Sequence, residues 1–199
     1  MIDILIVILS YFIGSLSSGV IITKYIKKRD IREKDNPGGA GVIRQFGFGT
    51  GAIVGLLDIL RGSLIALVTI EYSNFDLTFI LSYIALVLGN NYPIYFEFRG
   101  GQGVGATIGF FLTLFPLELI FSFLVGAFFS LMYHIIKLNR YIKFMGLVPF
   151  GTVFGILTIF ILIIRKYPFY PFPLLIIVAA FMLSFRGLQV LFYRKKKDL

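Results

Sequence analysis

Apolar runs of the length that crosses a bilayer recur along this chain, divided by short polar connections. A spanning helix needs about 20 mainly apolar residues. Seven apolar segments can be marked, at 2–26, 47–70, 77–95, 104–117, 118–136, 146–165 and 172–193. They predict an all-α polytopic membrane protein, a seven-transmembrane-helix bundle forming a single integral membrane domain over 1–199. The fourth segment is short and ends at Pro116, so six spans with a re-entrant fourth element is the rival count. Hydrophobic residues make up 58% of the chain and charged residues only 15%, too few to clothe a globular surface, which excludes a water-soluble enzyme. The absence of cysteine excludes a disulfide-stapled domain. The first run carries only Asp3 ahead of Ile4 and extends to about Ile26, which reads as a span rather than a cleaved leader.

Basic residues alternate with the spans. Lys27, Lys28, Arg29, Arg32, Lys34 and Arg44 follow the first, Arg99 the third, Lys137, Arg140 and Lys143 the fifth, and Arg194 to Lys197 the last. With seven spans all of these fall on one face, while Glu71, Asp76, Glu118, Arg165 and Lys166 fall on the other. The positive-inside bias then predicts an outside N-terminus and a cytoplasmic C-terminus. The net charge of +9 reads as topology signals and contacts with anionic membrane lipid. Nucleic acid is not expected as a partner, because no soluble module presents a basic surface.

Within the spans, Gly47, Gly51 and Gly55, then Gly101, Gly105 and Gly109, then Gly151 and Gly155 form small-residue ladders. Such ladders let helix backbones approach closely in lipid, and packing within one bundle is the expected use. Asp58 and Arg61 fall on one face of the second span. Charges at that depth cost about 2.5–3.5 kcal/mol on insertion scales and must face protein or water. They are read either as an ion pair tethering the helix or as part of a polar cavity. Arg186, near the cytoplasmic end of the last span, is placed to snorkel to the interface. His134 is the only histidine and is expected to be structural. One histidine, no cysteine and scattered carboxylates predict no metal site and no cofactor.

Glycine and charge concentrate in two connections. The first contains Asp35-Asn36-Pro37-Gly38-Gly39-Ala40-Gly41 and reaches Arg44; the third reads Arg99-Gly100-Gly101-Gln102-Gly103-Val104 and opens a helix. Consecutive glycines before a helix start let backbone N–H groups converge on an anion, and an arginine beside them adds a planar donor for phosphate. A turn that merely permits sharp re-entry is the other reading.

Taken with Gly14-Ser15, Asp30-Ile31-Arg32, Leu57-Asp58, Arg61-Gly62 and Tyr92-Pro93, these runs resemble the PlsY family of bacterial acyl-phosphate:glycerol-3-phosphate acyltransferases. The resemblance covers nearly the whole chain in element order and is strongest over 11–109. It implies a seven-helix protein of the prokaryotic plasma membrane in phospholipid biosynthesis. It also implies transfer of an acyl group from acyl phosphate to glycerol 3-phosphate or a related acceptor. Arg44 and Asn36 are then the candidate catalytic residues. Arg99, Gly100, Gly101, Gln102 and Gly103 are the candidate phosphate binders, with Asp58, Arg61, Asn90 and Arg186 as polar support in the membrane. The sequence departs from the family pattern in several places. Gln102 stands where the family has a second lysine and Asn90 where it has a histidine. Gly187 and Val190 replace a histidine and an asparagine after Arg186, and Arg140 lacks its following serines. An alternative is therefore a non-catalytic, lipid-binding or partner-regulating paralogue on the same fold.

Overall fold

The computed structural model describes residues 1–138 and 146–197, with side chains up to residue 190. Arg140 and Lys143 lie outside the described residues, as do the side chains of Tyr193 and of the tail cations Arg194 to Lys197. The described chain is helical: α1 (Ile2–Gly14), α2 (Ser18–Val20), α3 (Gly39–Phe46), α4 (Phe48–Tyr72), α5 (Leu77–Asn91), α6 (Val104–Leu114), α7 (Pro116–Ile135), α8 (Leu147–Lys166) and α9 (Phe172–Lys197). Six stretches are long and apolar enough to cross a membrane: Ile2–Ile26, Phe48–Tyr72, Leu77–Phe96, Pro116–Ile135, Leu147–Lys166 and Phe172–Val190. The protein is a multi-pass membrane protein.

The fourth predicted span differs from expectation. It forms only the 11 residues of α6, about 16 Å at 1.5 Å per residue, against a hydrocarbon core of about 30 Å. The reason lies in where α6 begins. A Cβ built on Gly105, at its first turn, would sit 2.6 Å from the Cβ of Asp58. Asp58 is ten residues into α4, about 15 Å along its axis. The connection 97–103 therefore runs in beside α4 before the helix starts, and α6 continues antiparallel to α5, with Gly103 against Val87 and the Thr107 hydroxyl 2.9 Å from that of Tyr83, so loop and short helix together take the place of the fourth predicted span.

The first span is interrupted as well. α1 stops at Gly14, and after Ser15–Ser17 the chain resumes in α2 and a π-helical stretch, Ile21–Ile26. Three serines in four positions, Ser15, Ser17 and Ser18, mark the break, residues that compete locally for backbone groups.

The helices form two compact units, one of residues 1–114 with the chain from Val178 onward, the other of Phe115–Ile177. In the first unit α1 lies along α5, α4 along α6, and α3 along the start of α4. Glycines set the close approaches. A Cβ on Gly14 would fall 2.3 Å from the Leu86 carbonyl oxygen, one on Gly62 2.0 Å from that of Ala106, and one on Gly109 1.9 Å from that of Ile59. The aromatic core of this unit is Tyr83, stacked on Phe111 and edge-on to Phe110. In the second unit α7 and α8 close over Gly126, Gly151 and Gly155, with Ser122 Oγ donating to the Gly155 carbonyl at 2.7 Å. Lys166 pairs with Glu118 at 2.6 Å there, so two of the charges assigned to the less basic face do share an end. The glycine ladders are thus largely internal packing.

The α4–α6 crossing generates a prediction. Gly62→Leu forces side-chain atoms into the α6 backbone and should cost about 3 kcal/mol or more, read as a lowered melting temperature in detergent. Gly49→Ala, where a Cβ meets nothing within 4 Å, should stay within about 0.5 kcal/mol of wild type.

Candidate functional site

The descent of 97–103 opens a cavity of about 520 Å³ in the first unit. Its polar lining includes Asn36, Arg44, Asp58, Asn90 and Gln102; glycines of α3, α4 and the 97–103 loop supply backbone; Ile43, Ile59, Val104 and Ile108 supply apolar wall. Two predicted clusters, the Asn36–Arg44 connection and the Gln102–Gly103 turn, therefore meet, though more than 50 positions separate them in sequence.

Both asparagines are oriented by backbone donors. Gly38 N–H donates to Asn36 Oδ1 at 3.0 Å, and Gly103 N–H donates to Asn90 Oδ1 at 3.1 Å. Only the amide oxygen can accept, so each side chain has its Nδ2 group left as the donor it can offer. The two approach one another at Gly101, where a Cβ would lie 2.8 Å from Asn90 Oδ1 and 3.8 Å from Asn36 Oδ1. Gly103 holds φ +79°, a left-handed conformation that favours glycine.

Arg44 meets Asp35 side-on, through Nε at 2.8 Å and Nη2 at 3.0 Å. That hydrogen bonding holds the guanidinium firmly protonated, at a side chain still 48% exposed on the cavity rim. The far edge of the guanidinium, at Nη1, faces away from this pairing and can receive an anion.

Several glycine-loop amides are paired within the protein rather than turned to the cavity. Gly100 N–H donates to the Asn91 carbonyl at 3.2 Å and Gly101 N–H to that of Asn90 at 2.9 Å. Gly100 and Gly101 are not part of the lining, and Arg99 is exposed outside it. The cause is depth: a loop running among membrane helices must find partners for its polar groups within the protein. What this loop brings to the cavity is the Gln102 side chain and the Gly103 turn.

Asp58 and Arg61 combine both readings made from sequence. Arg61 Nη2 and Ser18 Oγ both donate to Asp58 Oδ1. Arg61 Nη1 donates to the Gly14 carbonyl at 3.1 Å, and to those of Ile13 and Leu16. The arginine thereby caps the interrupted end of α1 and tethers α4 to it, while the carboxylate lies in the cavity wall. Ser18 could be anticipated only as one of a serine cluster within an apolar run.

Arg186 does not snorkel. Its Nε donates to the Gly101 carbonyl at 3.1 Å, its Nη2 to those of Asn91 and Gly100 at 3.2 and 3.3 Å, and its Nη1 to Gln189 Oε1 at 3.0 Å. Its guanidinium also lies 4.8 Å from the centre of the Tyr92 ring. The loop's unpaired carbonyls draw it inward. A second strap comes from Arg32, which donates from Nη1 to the Phe96 carbonyl at 2.9 Å. Its own hydrogen bonds to Asp30 hold that carboxyl below its usual range. Asn91 and Gln189 carry no signal in sequence that ties them to this loop. His134 is exposed on α7. Among the described residues no group of three His, Cys, Asp or Glu side chains is placed to hold a metal.

The chain matches the family described as Glycerol-3-phosphate acyltransferase over residues 4–196. It is similar to the glycerol-3-phosphate acyltransferase of Shouchella clausii, with 35% identity over 186 residues, covering 92% of this chain and 85% of that one. With the enzyme of the same description from Halalkalibacterium halodurans it shares 43% identity over 122 residues, a match spanning 59% of each. Two crystal structures of PlsY (YgiH), an integral membrane glycerol 3-phosphate acyltransferase, share the fold at 25% identity. The lysophosphatidic acid form gives a TM-score of 0.72 over 94% of this chain and 88% of that chain. The glycerol 3-phosphate form gives 0.70 over 100% and 90%.

The Asp58–Arg61 pair yields a second prediction. Arg61→Met leaves a carboxylate buried without its cation and the α1 carbonyls uncapped, and should destabilise the protein by about 3–5 kcal/mol. The double variant Asp58→Asn/Arg61→Met should recover part of that loss, measured by thermal unfolding in detergent.

Proposed function

The chain belongs to the glycerol-3-phosphate acyltransferase family, membrane acyltransferases of phospholipid biosynthesis, and we propose that it transfers an acyl group from an acyl phosphate to glycerol 3-phosphate. A hydroxyl of the glycerol attacks the acyl carbonyl carbon, the bond from that carbon to the phosphate oxygen breaks, and the hydroxyl proton leaves with the phosphate. The products are lysophosphatidate and inorganic phosphate. An acyl phosphate is a mixed anhydride with a good leaving group, so the site needs chiefly cations and donors for two phosphates and a fixed geometry. No strong base is required.

The observation that carries this reading is the convergence of donors in one cavity: Arg44 at the rim, Gln102 from the 97–103 loop, and Asn36 and Asn90 with their oxygens already engaged by glycine amides. Arg44 and Asn36 serve as the catalytic pair, orienting the acceptor, and Gln102 lies against phosphate, with Gly103, its N–H engaged by Asn90, shaping the turn beside it. Arg99, exposed just outside, draws the anionic substrate toward the cavity. Gly100 and Gly101 act on phosphate only through the shape of their turn. Asp58, Arg61, Asn90 and Arg186 hold the frame. The apolar wall of Ile43, Ile59, Val104 and Ile108 suits an acyl chain entering from membrane lipid. We place the protein in a prokaryotic plasma membrane with the basic connections in the cytoplasm, the side that supplies a soluble glycerol phosphate.

The test is phosphate release from a long-chain acyl phosphate by purified protein in nanodiscs, with and without glycerol 3-phosphate. Acceptor-dependent release with lysophosphatidate as product is expected. Folded protein that releases nothing would favour the non-catalytic lipid-binding reading. Arg44→Ala should lower kcat/KM by about 10- to 100-fold, the size of one charge-assisted hydrogen bond of about 1.5–3 kcal/mol. Gln102→Lys, which adds a cation to the cavity, should lower the KM for glycerol 3-phosphate severalfold.

A further inference from the structure

The turn that delivers Gln102 and Gly103 is held from behind by one side chain from the last helix. Arg186 is 85 positions from Gly101, yet its guanidinium reaches the carbonyls of Asn91, Gly100 and Gly101 together. Its remaining nitrogen is fixed by Gln189, whose Oε1 also accepts from the Tyr92 hydroxyl at 2.7 Å. Tyr92 in turn lies under the guanidinium. The clamp therefore grips both ends of the descent, the last turn of α5 and the glycine turn itself.

The segment between those ends is not a relaxed one. Glu97 and Phe98 both hold φ of 58°, a left-handed conformation that side-chain-bearing residues seldom adopt. Such conformations persist only where surrounding structure over-determines them. The end of α5 anchors the turn as well: Gly100 N–H donates to the Asn91 carbonyl, Gly101 N–H to the Asn90 carbonyl and Gly103 N–H to Asn90 Oδ1. Gln102 is the residue between the anchored Gly101 and Gly103, and it lines the cavity.

We propose that Arg186 is a positioning residue of the acyl-transfer site, holding the Gly100–Gly101 turn so that the Gln102 side chain meets the substrate phosphate. This rests on the function proposed above. A planar guanidinium donates along fixed directions, so it fixes three carbonyls relative to one another. An ammonium is a point charge on a flexible stem and cannot do the same. A misplacement of about 1 Å in a positioned site costs on the order of 100-fold in rate.

The experiment compares wild type, Arg186→Gln, Arg186→Lys, Gln102→Ala and the double variant Arg186→Gln/Gln102→Ala, all as purified full-length protein in nanodiscs. Steady-state kinetics with varied glycerol 3-phosphate should show KM raised about tenfold and kcat lowered about tenfold in Arg186→Gln, estimates drawn from the misplacement scale. Arg186→Lys should be nearly as impaired, and the double variant should lose less than the product of the single losses. Three results would overturn the proposal: wild-type kinetics in Arg186→Lys, multiplicative losses in the double variant, or a fall in kcat alone that matches a fall in folded protein.

The thermal shift induced by glycerol 3-phosphate separates this proposal from the function it rests on. If wild type transfers no acyl group but is stabilised by the ligand, and Arg186→Gln abolishes that shift, the positioning role holds and the transfer reading fails. An equal shift in both proteins, or none in either, overturns the positioning role.

Discussion

Hydrocarbon offers no hydrogen bonds, so a stretch of chain that leaves helical geometry at membrane depth must find partners for its polar groups inside the protein. That constraint organises the first unit. The connection 97–103 pairs its Gly100 and Gly101 amides with the last carbonyls of α5, and three side chains take up groups that remain: Asn90 the Gly103 amide, Arg186 the carbonyls of the turn, and Arg32 the Phe96 carbonyl. The break in the first span poses the same problem and receives the same kind of answer, from Arg61. The connection borders the cavity directly, and the break in the first span is linked to it through Asp58, which Ser18 and Arg61 hold in the cavity wall.

The glycines serve that geometry in two different ways. At Gly14, Gly62 and Gly109 they permit contact between backbones that any side chain would hold apart. At Gly55, which also lines the cavity, a Cβ would meet nothing within 4 Å. There the missing side chain leaves room in the cavity. A ladder of identical residues thus passes from packing to void along one helix, from Gly51 against α3 to Gly55 beside the opening.

Much of the architecture was legible in the sequence because apolar length is a one-dimensional signal. The α4, α5, α7, α8 and α9 segments begin and end within a few residues of the apolar runs, apart from the tail extension of α9. The charged pair in α4 was legible too, since Asp58 and Arg61 are close enough in sequence to share a face. The depth at which α6 begins was not, because it depends on where Gly105 docks along α4, a contact between residues 47 apart. Arg186 was misread for a related reason. Its distance from the predicted interface suggested snorkelling, whereas its partners belong to a loop whose descent no local pattern announces. For the site, the chemistry-bearing residues were visible, but the direction of each amide was not. Gly100 and Gly101 look the same in sequence whether they face a ligand or Asn90 and Asn91.

The cap that Arg61 places on α1 bears on biogenesis. The first span leaves the ribosome well before the second, and on its own it lacks the arginine that the carbonyls of Gly14 and Leu16 meet partway along an otherwise apolar helix. The second span on its own carries an ion pair into lipid. Released separately, each is a poor solute for the bilayer; released side by side, the guanidinium of one closes the defect of the other. The order of synthesis and the energetics of lipid thus favour a paired exit of the first two spans from the insertion machinery, ahead of the loop and the last helix that complete the cavity.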